Sequence, residues 1–430
     1  MAEQMKPSGI DWIGDIPKSW KVTRLQTLFD QVKDKNSGTK EKNLLSLSYG
    51  KIVKKDIEGA FGLIPESFDT YNIIKKNDIV LRLTDMQNDQ VSLRTGLVKE
   101  EKGIITSAYV TIRLKCGSPS YYHWYLYAFD TSKQIYAFGQ GVRQSLTFEE
   151  LKKMLILLPS PKEQQAIADF LDEECAQIDS IAADLEKQIV LLQQYKKSLI
   201  TETVTKGLDK SAPMKDSGVE WIGKIPEHWQ KTRIKFEASI IGSGTTPDSG
   251  NSMYYDNGEH SWIQSGDLYG KDYIYETEKQ LTNLAILECH ALNWYTKDFV
   301  VVAMYGASVG NVAISKIDSF TNQACCVIKL NEKNDNRYLF YFLKAAQEEM
   351  LLKAFGGTQP NISQIIIKNL NFLNVPLLEQ IEIADFLDSK CDMINEMLQS
   401  KKDQYDILIK HKKSLIYEYV TGKKRVKEVQ

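Results

Sequence analysis

Covalent chemistry in this chain would have to come from four short stretches and five histidines. Gly306-Ala-Ser-Val-Gly310 has the glycines of a phosphate-cradling loop, but it continues Asn311-Val312, so no lysine follows to meet a β- or γ-phosphate. A tight turn accounts for it. Asp172-Glu173-Glu174-Cys175 imitates a nucleotidase box, yet no phosphate loop precedes it and it falls within a helical pattern, where a solvated helix face explains it. A nuclease carboxylate pair needs Pro-Asp followed by Glu-x-Lys. Pro247-Asp248 and Glu100-x-Lys102 occur in the reverse order and in different blocks. No N/D-P-P-Y/F tetrapeptide occurs. His123, His228, His260, His290 and His411 form neither HxxxH nor HExxH, which argues against a zinc site. The residues predict no covalent chemistry, no metal and no cofactor held by this chain.

The elements that would position such residues are governed by repetition. "SGIDWIGDIP" from Ser8 returns as "SGVEWIGKIP" from Ser217, 209 residues later, and the match extends to Trp20 and Trp229. "EQQAIADFLDEECAQID" from Glu163 returns as "EQIEIADFLDSKCDMIN" from Glu379, 216 residues later, and runs on to "KKSLI" from Lys196 and Lys412. The order is therefore short motif, variable block and long motif, stated twice.

The long motif reads as helix. Steps of four and three from Leu171 meet Cys175, Ile178, Ala182, Leu185, Ile189, Leu192, Lys196 and Leu199. From Leu387 they meet Cys391, Ile394, Leu398, Lys401, Tyr405, Leu408, Lys412 and Leu415. A period of 3.5 is that of a coiled coil. "SPKE" from Ser160 supplies a capping box with Pro161 at the first helical position. Each helix, read from its Glu to its Ile, covers 38 residues, or about 57 Å. One narrow apolar seam cannot stabilise a lone helix, so each copy is expected to pack antiparallel on the other, with the variable blocks at opposite ends about a pseudo-two-fold axis.

Between the motifs, short β-type runs such as Asn77–Leu83, Ala108–Leu114, Asp298–Gly306 and Ala324–Leu330 alternate with turn residues. Each block also holds an aromatic-rich helical run, from Tyr121 and from Arg337, whose spacing suits packing on a sheet better than stacking on bases. The expected fold class is mixed α/β. Two globular α/β domains (1–157 and 208–374) are separated by two long antiparallel coiled-coil helices (158–207, and 375–430 with the tail) in a pseudo-two-fold tandem repeat.

Bulk properties agree with two domains: 430 residues, 43% apolar and 26% charged, with net charge −2. The stretch Glu163–Ile200 carries −5 and Glu379–Ile416 carries −2, leaving +5 for the rest of the chain. The acidity sits on the helices, and the blocks are mildly basic, as suits two lobes meeting phosphates. Six sparse cysteines without a CxxC pair and a hydrophilic start predict a soluble protein of the reducing cytoplasm.

The doubled pattern closely resembles the specificity subunit of type I restriction–modification enzymes. The paired openings at Trp12 and Trp221 and the paired "EQxxIADFLD" and "KKSLI" helices carry the likeness. So do "GSGTTP" from Gly242, "WIQSGDL" from Trp262, "YGASVGNVAI" from Tyr305, "TNQAC" from Thr321, "GTQPNIS" from Gly357 and "GVRQSL" from Gly141. The resemblance implies that each block is a target recognition domain reading one half of a bipartite, asymmetric duplex DNA target. It implies that the helices set the spacing and dock the modification (methyltransferase) subunits, two of them, and that restriction subunits act alongside. S-adenosylmethionine, ATP and Mg would belong to those partners, leaving this chain non-catalytic.

Bases are read by side chains that offer donors and acceptors in the grooves. The candidates are Lys51, Arg82, Asn88, Gln90, Arg94, Arg143 and Gln144 in the first block. In the second they are Thr245, Thr246, Ser265, Asp267, Tyr305, Ser308, Asn311, Gln323, Gln359 and Asn361. For docking, the candidates are Phe170 and Phe386, each flanking the seam, with the seam residues themselves: Leu171, Ile178, Leu185, Leu192 and Leu199, and Leu387, Ile394, Leu398, Leu408 and Leu415. The competing reading of both phenylalanines is that they widen the intramolecular core. The rival to the whole is a non-catalytic coiled-coil scaffold that binds only proteins.

Overall fold

The computed structural model describes residues 4–55, 67–85, 89, 93–138, 145–355 and 361–426. The chain divides into two compact units, Met1–Glu186 with Lys402–Gln430, and Lys187–Lys401, so both boundaries fall inside the long helices.

In the first unit the short motif is a hairpin of β1 (Met5–Pro7) and β2 (Asp15–Pro17), followed by β3 (Lys21–Arg24). Its apolar residues Ile13, Ile16 and Trp20 are buried. The chain continues through β4 (Phe29–Gln31), the hairpin of β5 (Leu45–Ser48) and β6 (Lys51–Lys54), then β7 (Asn72–Lys75), β8 (Ile79–Leu81), β9 (Thr95–Leu97), β10 (Lys102–Ile105) and β11 (Val110–Leu114). The main sheet has the order β4-β11-β8-β9 and is antiparallel. An aromatic helix, Pro119–Thr131, packs Tyr121, Tyr125 and Phe129 into the core, as its spacing predicts. After β12 (Leu155–Leu158), which pairs with β3, the first long helix runs Pro161–Lys206.

The second unit repeats this plan. A hairpin of β13 (Met214–Asp216) and β14 (Lys224–Pro226) buries Ile222, Ile225 and Trp229. β15 (Gln230–Arg233) and β16 (Ala238–Ser243) follow, then β17 (His260–Ile263), β18 (Tyr273–Ile274), β19 (Gln280–Leu281), β20 (Phe299–Ala303), β21 (Val312–Ser315), β22 (Phe320–Thr321) and β23 (Cys325–Leu330). The main sheet has the order β16-β23-β20-β21-β18, and the β16-β23-β20-β21 part matches the first unit strand for strand. A small sheet, β19-β17-β22, is added. The aromatic helix Asn336–Ala345, β24 (Asn371–Asn374, paired with β15) and the second long helix, Leu377–Val420, complete it.

The repeated motifs lock these parts together by equivalent bonds. The Trp20 indole donates to Glu163 at 3.0 Å, and the Trp229 indole to Glu379 at 2.8 Å. The Gln164 side chain accepts from Ser118 N at 3.0 Å, and that of Gln380 from Asp335 N at 2.9 Å. The Tyr121 hydroxyl donates to the Val420 carbonyl at 3.0 Å, as the Tyr338 hydroxyl does to that of Val204. Each unit thus packs its sheet on the start of one long helix and the end of the other. The capping box at Ser160 forms as expected, with Glu163 accepting from Ser160 N at 3.1 Å and Ser160 Oγ from Glu163 N at 3.3 Å. The helices run past the repeated motifs to 46 and 44 residues. They stop at Gly207 and just before Gly422, both at φ +74°, the left-handed conformation that ends a helix.

Within the first unit Asp179 faces Lys412 at 2.6 Å and Glu186 bonds Tyr405, so the helix segments run in opposite senses. Within the second, Lys196 donates to Asn395 at 2.9 Å. Every seam position from Leu171 to Leu199 and from Leu387 to Leu415 is buried or half-buried.

Candidate nucleic-acid interface

In the second unit the candidate residues sit where strands of the two sheets end, and backbone bonds gather those ends. Gly244, just after β16, lies so close to β22 that a Cβ there would come 1.6 Å from the Thr321 carbonyl oxygen. Only glycine fits, and this brings Thr245 and Thr246 beside the turn that carries Gln323. The Thr246 hydroxyl bonds the Gln323 side-chain oxygen, and the Trp262 indole donates to the Thr245 carbonyl at 3.3 Å. Asn322 N donates to the Ile263 carbonyl at 2.9 Å, drawing in the Gln264–Leu268 turn with Ser265. Met304 N bonds the Ala324 carbonyl at 2.7 Å, and Ile362 N the Met304 carbonyl at 2.9 Å. Tyr305 therefore bridges to Asn361. Gln323 and Asn361 are exposed, while Thr245, Thr246, Ser265 and Tyr305 are half-buried. Together they form one rim rich in hydroxyl and amide groups.

Two candidates are corrected. Asp267 is buried, and its carboxylate accepts from Gln264 N at 2.8 Å and Glu278 N at 3.1 Å, so it braces the turn from inside. Ser308 is also buried, in the turn where Asn311 N bonds its carbonyl at 2.9 Å. Neither side chain is presented to a ligand. Asn311 is half-buried and lies 3.5 Å from the Gln347 amide nitrogen.

The first unit builds the same corner with charge. Leu146 N donates to the Leu83 carbonyl at 2.9 Å, the counterpart of Ile362 to Met304, and Arg82 directly precedes Leu83 at the end of β8. The Arg82 guanidinium holds Asp89 at 3.1 Å and approaches Asp85 at 3.9 Å. Arg94 is corrected: it is 0% exposed. Its guanidinium donates to the carbonyls of Arg82 (3.2 Å), Thr84 (2.9 Å), Asp85 (3.2 Å) and Asp89, and to the Tyr136 hydroxyl (3.2 Å). Its backbone N–H donates to Asp130 at 2.7 Å. Arg94 spends its donors on loop carbonyls that have no strand partner, so it shapes the corner from within. Burial raises the Asp130 carboxyl above its ordinary range, against the opposing pull of that bond. Lys51 opens β6, exposed, 3.7 Å from Asp179. Asn88, Gln90, Arg143, Gln144 and Gln359 lie outside the described residues.

Sequence reasoning missed the braces Asp130 and Tyr136, because their partner lies 36 and 42 residues away and nothing local marks it. It also placed Phe170 and Phe386 beside the seam without fixing their contacts. Both are half-buried at core edges, the Phe170 ring 4.4 Å from that of Tyr419.

The chain matches the family model "Type I restriction modification DNA specificity domain" twice, over residues 17–190 and 226–404. It is 25% identical over 435 residues to a putative type I restriction enzyme MjaX specificity subunit of Methanocaldococcus jannaschii, covering 96% of each chain. The MjaVIII specificity subunit of the same organism is 24% identical over 427 residues, covering 96% of this chain and 95% of that one. A solved structure described under complex assembly and conformational transition of the type I R-M system shares the fold, with a TM-score of 0.71 at 14% identity, covering 94% of this chain and 98% of that one.

Proposed function

The chain belongs to the type I restriction–modification DNA specificity family, and from that premise we propose how its two units divide the work of recognition. As a specificity subunit it is the non-catalytic, DNA sequence-recognising component of such a system, with duplex DNA and the methyltransferase and restriction subunits as partners. Each unit reads one half of a split target, and the two halves differ.

One observation carries this. The same strand order presents the same corner in both units, but the side chains on it are of different kinds: Arg82 with its carboxylates in one, Thr246, Gln323, Ser265 and Asn361 in the other. Guanidinium groups match guanine edges and amides match adenine edges in the major groove, so unlike rims select unlike half-sites. Two modification subunits dock on the long helices. The exposed apolar side chains Ile181, Val190, Leu191, Tyr195, Met393, Met397 and Ile407 support that, since water is a poor neighbour for them. S-adenosylmethionine, ATP and Mg are held by the partners, and the assembly works in the cytoplasm. Among the described residues no helix is long and apolar enough to cross a membrane.

The test is methylome sequencing of cells carrying the intact system, before and after residues 21–157 are exchanged for the block of another family member. A split asymmetric consensus whose first half alone changes is expected. A palindrome, or a change in both halves, would refute independent reading, and no DNA selection at all would favour the protein-only scaffold.

A further inference from the structure

The tip of the β5–β6 hairpin is built in a way that folding does not ask for. Ser48 pairs with Lys51 across a two-residue turn, Tyr49-Gly50, and both turn residues have positive φ, +47° and +74°. Such a type I′ turn favours Asn, Asp or Gly at its first position, because left-handed backbone crowds a Cβ against the carbonyl, a cost that Gly avoids and that Asn and Asp offset by local hydrogen bonds. Here that position holds a tyrosine that is 82% exposed and so adds little to any core.

The rest of the hairpin is anchored. Leu45 is buried, and Leu47 and Ile52 lie over Gly96 of β9, where a Cβ would come 2.7 Å and 3.0 Å from their Cδ1 atoms. Gly50 rests on Leu93, its Cβ position 2.9 Å from Leu93 Cδ1. Leu93 immediately precedes Arg94, whose guanidinium gathers the carbonyls around Arg82. On the other side Lys51 reaches Asp179 at 3.7 Å. A braced tip therefore holds an aromatic ring out into solvent beside the Arg82 corner, with the exposed Lys51 next to it and Lys54 and Lys55 farther along the same strand edge.

We propose that Tyr49 is a specificity-determining residue of the first unit, its ring entering a groove of duplex DNA next to the bases that the Arg82 corner meets. This rests on the recognition role argued above. The chemistry is complementary: an aromatic face and edge against sugars and bases, with Lys51 beside it and Lys54 and Lys55 along the strand for the phosphates that set the register. Strain retained at an exposed position is the mark of a site kept for contact rather than for stability.

Tyr49→Asn separates the two roles, because asparagine suits the turn better and the groove contact worse. The full-length chain assembled with its modification subunits is presented with the duplex that the wild-type assembly selects, and with the same duplex scrambled in its first half. The variant is expected to melt at or above the wild-type temperature and to bind the intact target roughly tenfold more weakly, with the scrambled duplex little affected. Wild-type affinity and discrimination in the variant would overturn the proposal, as would an equal loss on both duplexes. A wild-type assembly that selects no target would instead overturn the recognition role, and this proposal with it.

Discussion

Lys412 donates to Asp179 at 2.6 Å across the helix seam of the first unit, although 233 residues separate them. Its ammonium also lies 5.8 Å and 5.9 Å from the ring centroids of Trp124 and Tyr127. A lysine buried at a seam position costs desolvation and is held there by its partners, which makes it a device for fixing register. Lys412→Met keeps the stem but removes the charge from Asp179. It should lower stability by about 1–2 kcal/mol, read as a fall in melting temperature. A double-mutant cycle with Asp179→Asn should give a coupling of the same order, whereas additive effects would mean the pair behaves as an exposed one.

His123 is a buried residue of the first unit's aromatic helix. Burial, with Lys99 and Lys412 repelling the charged form, pushes its imidazole down to about 4. Its folded value lies below the unfolded one, so the unfolded chain binds the extra proton first as pH falls. The stability that depends on neutral His123 is therefore complete above about pH 6.5 and is lost progressively down to about 4, up to ~3 kcal/mol. Melting followed at pH 7 and pH 5 should show the fall, and His123→Phe should flatten it. An unchanged slope in the variant would move the effect to other groups.

The two long helices pass from one unit into the other, and Glu186 meets Tyr405 in the part shared with the first. One heptad added after Leu185 and one after Lys401 preserves the seam and lengthens the connection by about 10 Å. DNA rises about 3.4 Å per base pair, so the gap between half-sites should grow by about three pairs. Methylome sequencing reads this directly. An active variant with an unchanged gap would show that the helices do not set the spacing.

Docking can be told apart from core packing by the choice of residue. Tyr195→Asp with Met397→Asp alters exposed side chains and should leave melting nearly unchanged while reducing copurification with modification subunits. Phe170→Ala with Phe386→Ala removes rings packed at core edges and should lower stability by about 1–3 kcal/mol for each half-buried ring, read as a fall in melting temperature. If the phenylalanine pair alone weakened copurification without loss of stability, the docking contacts would lie there instead.

Much of the architecture was legible because it is written in short-range pattern. A 3.5-residue period marks the seam, Ser160 and Glu163 mark a helix start, and a twice-stated Trp-Ile-Gly motif marks equivalent hairpins. Each of these depends on residues only a few positions apart, where backbone geometry fixes which side chains share a face. The interiors of the two units were not legible as copies. Their sequences differ, and a shared strand order arises from pairing between residues tens of positions apart.

At the recognition corners the sequence by itself determined which polar residues lie near strand ends. Tertiary structure alone decided which of them face outward. Arg82 and Arg94 are the same residue type twelve positions apart, yet one stays half-exposed beside its carboxylates and the other is wholly enclosed by loop carbonyls. Asp267 is turned inward by the N–H of Glu278, eleven residues on, and Gln323 reaches Thr246 across 77 residues. Burial of a polar side chain is settled by the partners that satisfy it, and those partners arrive only when distant strands close into a sheet.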